Sequence, residues 1–153
     1  MEAMAVTTSS SPTPGFWQGK RVLVTGHTGF KGAWLTHWLS MMGANVVGLS
    51  LAPDTNPSLY QLLALDGCCE SRSGDIRDTA TVRDTVRHAQ PDVVLHLAAQ
   101  ALVRASYESP VATFNTNVMG TAHVLEALRE SEEAACNDAP IGGVKVSSAD
   151  GWF

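Results

Sequence analysis

The stretch RVLVTGHTGFKG, residues 21–32, decides the fold. Its first five residues form a compact apolar run between Gly19 and Gly26, the pattern of a buried strand. Glycines then fall at 26, 29 and 32, a GxxGxxG spacing. Beyond them Trp34, Leu35, Trp38, Leu39 and Met42 recur at helical spacing, and Gly43 supplies a stop. In a strand–glycine turn–helix each glycine has a separate task. Gly26 lets the chain turn sharply out of the strand, Gly29 lets backbone approach a pyrophosphate, and Gly32 lets the helix pack closely on the sheet. The helix start, with unpaired N–H groups and the positive end of its dipole, faces the phosphates. A phosphate-binding P-loop is excluded, because Lys31 follows Phe30 and precedes Gly32 instead of standing in a Gly-Lys-Ser/Thr triplet.

Working outward, residues 45–51 (NVVGLSL) read as a second strand and residues 53–57 as a loop. Leu59, Leu62, Leu63 and Leu65 suggest a short helix, and residues 68–73 a short third strand ending at Gly74-Asp75. Asp78 is placed to cap a helix over 79–89, with Val82, Val86 and Ala89 on one face. Residues 93–97 (VVLHL) are a fourth buried strand. Ser109-Pro110 opens a helix, Ser as cap and Pro in the first turn, with Val111, Phe114, Val118, Ala122 and Leu125 along one apolar face to about Ser131. Residues 132–140 read as a polar connection and 143–147 (GVKVS) as a fifth strand. Continuous apolar strands alternating with helices predict an α/β fold, a Rossmann-like doubly wound parallel sheet cut short after about five strands.

Composition narrows the class of protein. The chain has 153 residues, 44% hydrophobic and 16% charged, which suits one folded domain and not a disordered chain or coiled coil. Ten Lys and Arg against fifteen Asp and Glu give a net charge of −5, with no basic run, so no nucleic-acid partner is expected. Three cysteines, two of them adjacent and none in CxxC, predict reduced thiols in a cytoplasmic protein and no zinc site. His27, His37, His88 and His123 show no ligand spacing, so no metal is assigned, and His96 reads as a core residue capping its strand. No apolar run reaches the roughly 18 residues of a membrane helix. Residues 1–15 lack the basic and apolar segments of a signal peptide and are expected to be a flexible tail, leaving 16–153 as the domain. The acid that usually takes the ribose hydroxyls is missing from the end of the second strand, where Ser50 stands, with Asp54 four residues on. NAD and NADP both stay open on these residues.

Six segments carry a family resemblance: WQGKRV (17–22), TGHTGFKG (25–32), GDIRD (74–78), HLAAQ (96–100), LVRASYESP (102–110) and TNVMGT (116–121). Together they resemble the N-terminal half of the extended short-chain dehydrogenase/reductases, the NAD-dependent epimerase/dehydratase family, and within it the nucleotide-sugar 4,6-dehydratases. The His-Thr and Phe-Lys of the glycine turn and the AAQ-LVR-SYE-P pattern single out CDP-glucose as the implied substrate. The resemblance covers residues 16–129 and weakens beyond them.

It implies a lyase that converts CDP-glucose to CDP-4-keto-6-deoxyglucose by transient NAD reduction and loss of water. It implies that Gly26, Thr28, Gly29, Phe30, Lys31 and Gly32 cradle the NAD pyrophosphate, that Asp75 and Ile76 sit by the adenine, and that Ala98, Ala99 and Gln100 pass under the cofactor. Thr116 would lie at the nicotinamide end, Asn117 and Gly120 would hold local backbone, and Arg104, Ser106 and Tyr107 would form a loop facing the sugar nucleotide. Homo-oligomers paired through helices are common among such enzymes, which makes the helix after Pro110 a candidate surface. The family's Tyr-x-x-x-Lys pair is absent: Tyr60 and Tyr107 are followed four residues on by Ala64 and Val111. Where the family carries Thr-Ser-Asp-Lys, this chain reads VSSADGWF (146–153), so Ser147 and Ser148 match the hydroxyl pair, Ser148 is the one catalytic candidate, and Asp150 falls one position late. The C-terminal substrate domain is expected to be absent, and the chain alone to be inactive. An NAD-dependent nucleotide-sugar epimerase or reductase, and a non-catalytic nucleotide-binding fragment, are the alternatives.

Overall fold

The structure, a computed structural model, describes residues 14–136 and 145–148, with side chains described for residues 15–134. The expected tail falls almost wholly outside these residues, as do Asp150 and the side chain of Ser148. A short helix α1 (Pro14–Trp17) leads into β1 (Arg21–Thr25), α2 (Phe30–Met41) and β2 (Asn45–Ser50). Then come α3 (Leu59–Leu62), a 3₁₀ turn (Leu65–Gly67), β3 (Glu70–Ser73), α4 (Thr79–Ala89) and β4 (Val93–His96). After β4 follow α5 (Val103–Glu108), α6 (Pro110–Phe114), a π-helical segment (Asn115–Met119), α7 (Gly120–Cys136) and β5 (Lys145–Ser148). All pairings are parallel, and the strands lie in the order β3-β2-β1-β4-β5. That is the doubly wound α/β arrangement the strand pattern predicts.

The sheet is covered on both faces. Alternation along β1 sends Leu23 to one side, into a cluster with Leu49, Val94, Val82 and Val86 of α4, and Val124 and Leu128 of α7. Val22 and Val24 go to the other, with Val46 and with Leu39 of α2. Each such side chain, fully buried, is worth about 1.5–3 kcal/mol. The helix faces partly differ from those expected. In α2 the buried residues are Gly32, Ala33, Thr36 and Leu39, while Trp34 and Trp38 are half exposed. After Pro110 the buried stripe is Val124, Ala127 and Leu128, and Val111, Phe114, Val118 and Leu125 look outward. Both sequences carry two apolar stripes, and periodicity alone does not say which one meets the sheet. Other differences are local. Residues 103–108 are helical and not a loop, the helix after Pro110 continues to Cys136 through the expected polar connection, and Ser109 holds the cap position without a side-chain cap bond. Asp78 does cap α4, accepting from the Ala80 N–H at 3.1 Å.

Asp92 ties the start of β4 to the start of β1. Its carboxylate accepts from the Arg21 N–H at 2.8 Å and from Arg21 Nη2 at 3.2 Å, and its own N–H donates to the Arg21 carbonyl at 2.8 Å. The Arg21 side chain first, and its backbone N–H second, hold the Asp92 carboxyl below the usual carboxylate range. A folded pKa below the unfolded one adds stability that is present above that range and is lost as pH falls through the folded value. Asp92→Asn is therefore expected to cost less than about 1 kcal/mol at neutral pH, the pair being partly exposed. The difference from wild type should close over a window that opens at the ordinary carboxylate range and extends below it. Urea midpoints of both proteins across that window check it; a difference independent of pH would contradict it.

Candidate functional site

The order of strands reverses between β1 and β4, and a cleft of about 610 Å³ opens at their C-terminal ends. That is where open α/β sheets bind ligands. One wall is the glycine turn. Gly26 has φ +76°, and its N–H donates to the Leu49 carbonyl at 2.8 Å, so the chain leaves β1 sharply while pinned to β2. Gly29 is the N-cap of α2, with no side chain to satisfy the helix's first N–H groups, and the Ala33 N–H bonds its carbonyl at 2.8 Å. Those N–H groups and the dipole end suit an anion. A Cβ on Gly32 would lie 2.0 Å from the Gly26 carbonyl oxygen, so only glycine permits helix and turn to approach this closely.

The second wall is the end of β2 and the loop that follows. The Thr28 hydroxyl shares a 2.7 Å hydrogen bond with Ser50 Oγ and donates to the Leu51 carbonyl at 2.9 Å. Asp54 also lines this wall. Across from it, Asp75 accepts from the Arg77 N–H at 2.9 Å and from Arg77 Nε at 2.8 Å, and these bonds hold its carboxyl below the ordinary range. Ile76 also lines the cleft; its side chain is buried in the core and its carbonyl accepts from His123 Nδ1 at 3.0 Å. A Cβ on Gly120 would lie 2.5 Å from the Ile76 Cδ1, so that glycine makes room for Ile76.

The floor is residues 97–100, and a chain of hydrogen bonds sets it. The Thr121 hydroxyl donates to the Asn117 carbonyl at 2.6 Å, so it accepts from His96 Nε2 at 3.1 Å. His96 Nδ1 then accepts from the Thr25 hydroxyl at 2.6 Å, and the Thr25 oxygen takes the N–H groups of Leu97 and Ala98, each at 3.2 Å. His96 at the tip of β4 thereby joins β1 to α7. The Asn117 amide completes the set: its oxygen accepts from the Gln100 N–H at 2.7 Å, and its nitrogen donates to the Gln100 carbonyl at 3.0 Å. Asn117 stands in the π-helical segment, whose extra residue turns it toward Gln100 and sets Thr116 on the cleft wall.

The expected residues do not all meet here. Gly26, Thr28, Gly29, Asp75, Ile76, Ala98, Ala99, Gln100 and Thr116 line the cleft. Phe30 and Lys31 line a separate apolar groove on the outer side of α2 with Trp34 and Trp38, because side chains of a first helical turn splay outward while their N–H groups point along the axis. Gly32 is buried behind the turn. Arg104, Ser106 and Tyr107 are on α5 but not in the cleft wall, where Ala105 stands instead; Arg104 pairs with Glu108 at 3.2 Å. The backbone of Ser148 pairs with His96 at the end of β5. Among the described residues no group of three His, Cys, Asp or Glu could hold a metal, and no helix is long and apolar enough to cross a membrane.

Known proteins share this arrangement. The chain is 54% identical over 115 residues to a CDP-glucose 4,6-dehydratase of Salmonella typhimurium, covering 75% of this chain and 32% of that one. It is 38% identical over 110 residues to a dTDP-glucose 4,6-dehydratase of Xanthomonas campestris, 71% of this chain and 31% of the other. Among solved structures, the UDP-glucose 4-epimerase of Thermus thermophilus in complex with NAD superposes with a TM-score of 0.65 at 35% identity, over 73% of this chain and 34% of that one. The chain thus spans about a third of the length of these relatives. One family match runs over residues 23–149, from inside β1, across every wall of the cleft and through β5, and the chain belongs to that family, the GDP-mannose 4,6 dehydratases.

Proposed function

We propose that this chain is the NAD-binding portion of a dehydratase that converts CDP-glucose to CDP-4-keto-6-deoxyglucose. The 54% identity to a CDP-glucose 4,6-dehydratase, over the stretch that builds the cleft, carries the reading. The cleft residues fit a dinucleotide: a positive-φ glycine, an N-cap without a side chain and a packing glycine form one turn. NAD, when bound, accepts a hydride from the sugar and returns it. The backbone N–H groups of the turn, from Gly29 through Phe30, Lys31 and Gly32, would hold the pyrophosphate. Asp75 and Ile76 would flank the adenine, Ala98, Ala99 and Gln100 would support the cofactor from below, and Thr116 would border the nicotinamide end. Arg104, Ser106 and Tyr107 on α5 are assigned to the approaching sugar nucleotide, and Ser148 to its hydroxyls. Reduced Cys68 and Cys69 suit a cytoplasmic setting, and the outward apolar stripe after Pro110 suits a homo-oligomer.

A second reading, a nucleotide-sugar epimerase, is favoured by the solved neighbour that is a UDP-glucose 4-epimerase, but at 35% identity against 54% it ranks behind.

Neither tyrosine of this chain can serve as the family's base. Tyr60 is buried, donates to Asp66 at 2.6 Å, and has its phenol pushed up to about 12, chiefly by burial. Tyr107 is followed four residues on by Val111, where the family's pair carries its lysine. Calorimetric titration of the folded 153-residue chain with NAD is expected to show weak binding, and incubation with NAD and CDP-glucose to give no keto-sugar. A folded sample that gives no heat with NAD would overturn the proposal, and turnover by this chain would overturn the assignment of its tyrosines.

A further inference from the structure

His27 is the first residue after Gly26 in the glycine turn and one of the most buried polar groups described, at 0% exposure. Its ring stands over Gly48 in the middle of β2: a Cβ there would lie 2.3 Å from His27 Cγ. On the other side the ring meets Tyr60 of α3 edge-on, with centroids 5.5 Å apart at 78°. His27 Nε2 shares a 2.8 Å hydrogen bond with Ser71 Oγ of β3. Tyr60 is itself tied to Asp66 beyond α3. One side chain of the turn therefore touches β2, β3 and α3, the elements that bound the wall at residues 50–57. Its neighbour Thr28 ties the same turn to the near end of that wall through Ser50 and Leu51.

The choice of residue is informative. Burial lowers the imidazole pKa below its ordinary value, outweighing the opposing pull of the Leu49 backbone and the Asp66 charge, so the ring sits there neutral. A buried polar ring is a costlier filler than an apolar side chain on stability alone. What it supplies is shape, a flat ring that slots into the notch left by a glycine on β2.

We propose that His27 is a positioning residue for cofactor binding: its ring, keyed into Gly48 and braced by Tyr60, fixes the spacing between the glycine turn and the ribose-side loop. This rests on the proposed NAD reading and adds to it a residue that touches no cofactor atom. The key has a lock, so two substitutions should couple. His27→Ala empties the notch and frees the turn, and Gly48→Ala pushes the ring, and with it the turn, out of place. Each is expected to weaken NAD binding about tenfold. The pair together should bind better than Gly48→Ala alone, because the new methyl then occupies space the ring has left. His27→Phe keeps a flat ring and should bind within about threefold of wild type.

The experiment combines NAD titration with amide hydrogen exchange on wild type and these four variants. Faster exchange confined to residues 26–33 and 50–57 in His27→Ala, with β4 and α7 unchanged, together with relief of Gly48→Ala by His27→Ala, is the expected result. Exchange accelerated evenly over the sheet, or a double variant no better than Gly48→Ala, would overturn the proposal and leave His27 as ordinary core. If wild type binds no NAD, the cofactor reading fails, while the exchange pattern still decides whether His27 sets the turn.

Discussion

Gly32→Ala is expected to cost about 3 kcal/mol of stability or more and to remove measurable NAD binding. The added Cβ would lie 2.0 Å from the Gly26 carbonyl oxygen, 2.7 Å from the Gly26 carbonyl carbon and 2.9 Å from His27 Cα. All three are backbone atoms of the turn, so no side chain can swing aside, and relief requires α2 to lift off or the turn to open. In an isolated helix the same change would gain about 1 kcal/mol, so a net loss isolates the clash. Displacing positioned groups by about 1 Å can cost about 100-fold, enough to put an affinity expected to be weak out of reach. Gly29→Ala is the control. Its φ is −70° and a Cβ would stand 3.4 Å from the Gly26 oxygen, so the fold should hold while a methyl intrudes where phosphate would sit. Urea denaturation paired with NAD titration separates the two: both measures fall for Gly32→Ala, and only affinity falls for Gly29→Ala. A Gly32→Ala protein as stable as wild type would show that the close approach of helix and turn is not required.

This contrast bears on what could be read from residues alone. GxxGxxG between an apolar run and a helix locates the turn because each glycine is demanded by backbone geometry, and backbone geometry is local. The parallel sheet and its reversal between β1 and β4 follow from the alternation of short apolar runs with helices. The helix at Val103–Glu108 left no such trace, since it buries no residue and so has no apolar face to repeat. The π-helical segment was equally silent. One extra residue shifts a stripe by about 100° without changing its composition, so the pattern predicts a continuous helix across 110–131. The turn that aims Asn117 at Gln100 exists only in three dimensions. Phe30 and Lys31 show the converse: they lie inside the motif by position, but their side chains leave it. His27 enters the sequence reading only through the His-Thr pair of the family resemblance, which says nothing of what its ring touches. Its role depends on Gly48 and Tyr60, which are brought beside it only by the pairing of β1 with β2 and the packing of α3.

The cleft floor depends most on one hydroxyl. Thr25 is fully buried at the end of β1, and its oxygen takes the Leu97 and Ala98 N–H groups while its proton goes to His96 Nδ1. Thr25→Val preserves volume and β-branching and removes only the polar atom. The Ala98 N–H then loses the acceptor it has in the wild type, at about 1–3 kcal/mol for a buried group, and the Leu97 N–H keeps its bond to the Thr25 carbonyl at 3.1 Å. The expected loss is about 2 kcal/mol, and the damage should concentrate on residues 98–100, the floor on which a dinucleotide would rest. Affinity for NAD is therefore expected to fall about tenfold, in line with about 1.4 kcal/mol of lost positioning. Thr25→Ser restores the hydroxyl and gives up one methyl, about 0.8 kcal/mol, so it should recover most of the affinity while remaining slightly less stable. Hydroxyl and methyl thus predict opposite rankings, with Ser above Val for affinity if the relay to His96 sets the floor and Val above Ser if packing does. Equilibrium denaturation and NAD titration of the two variants decide between them, because only the relay makes the larger, better-packed side chain the worse binder.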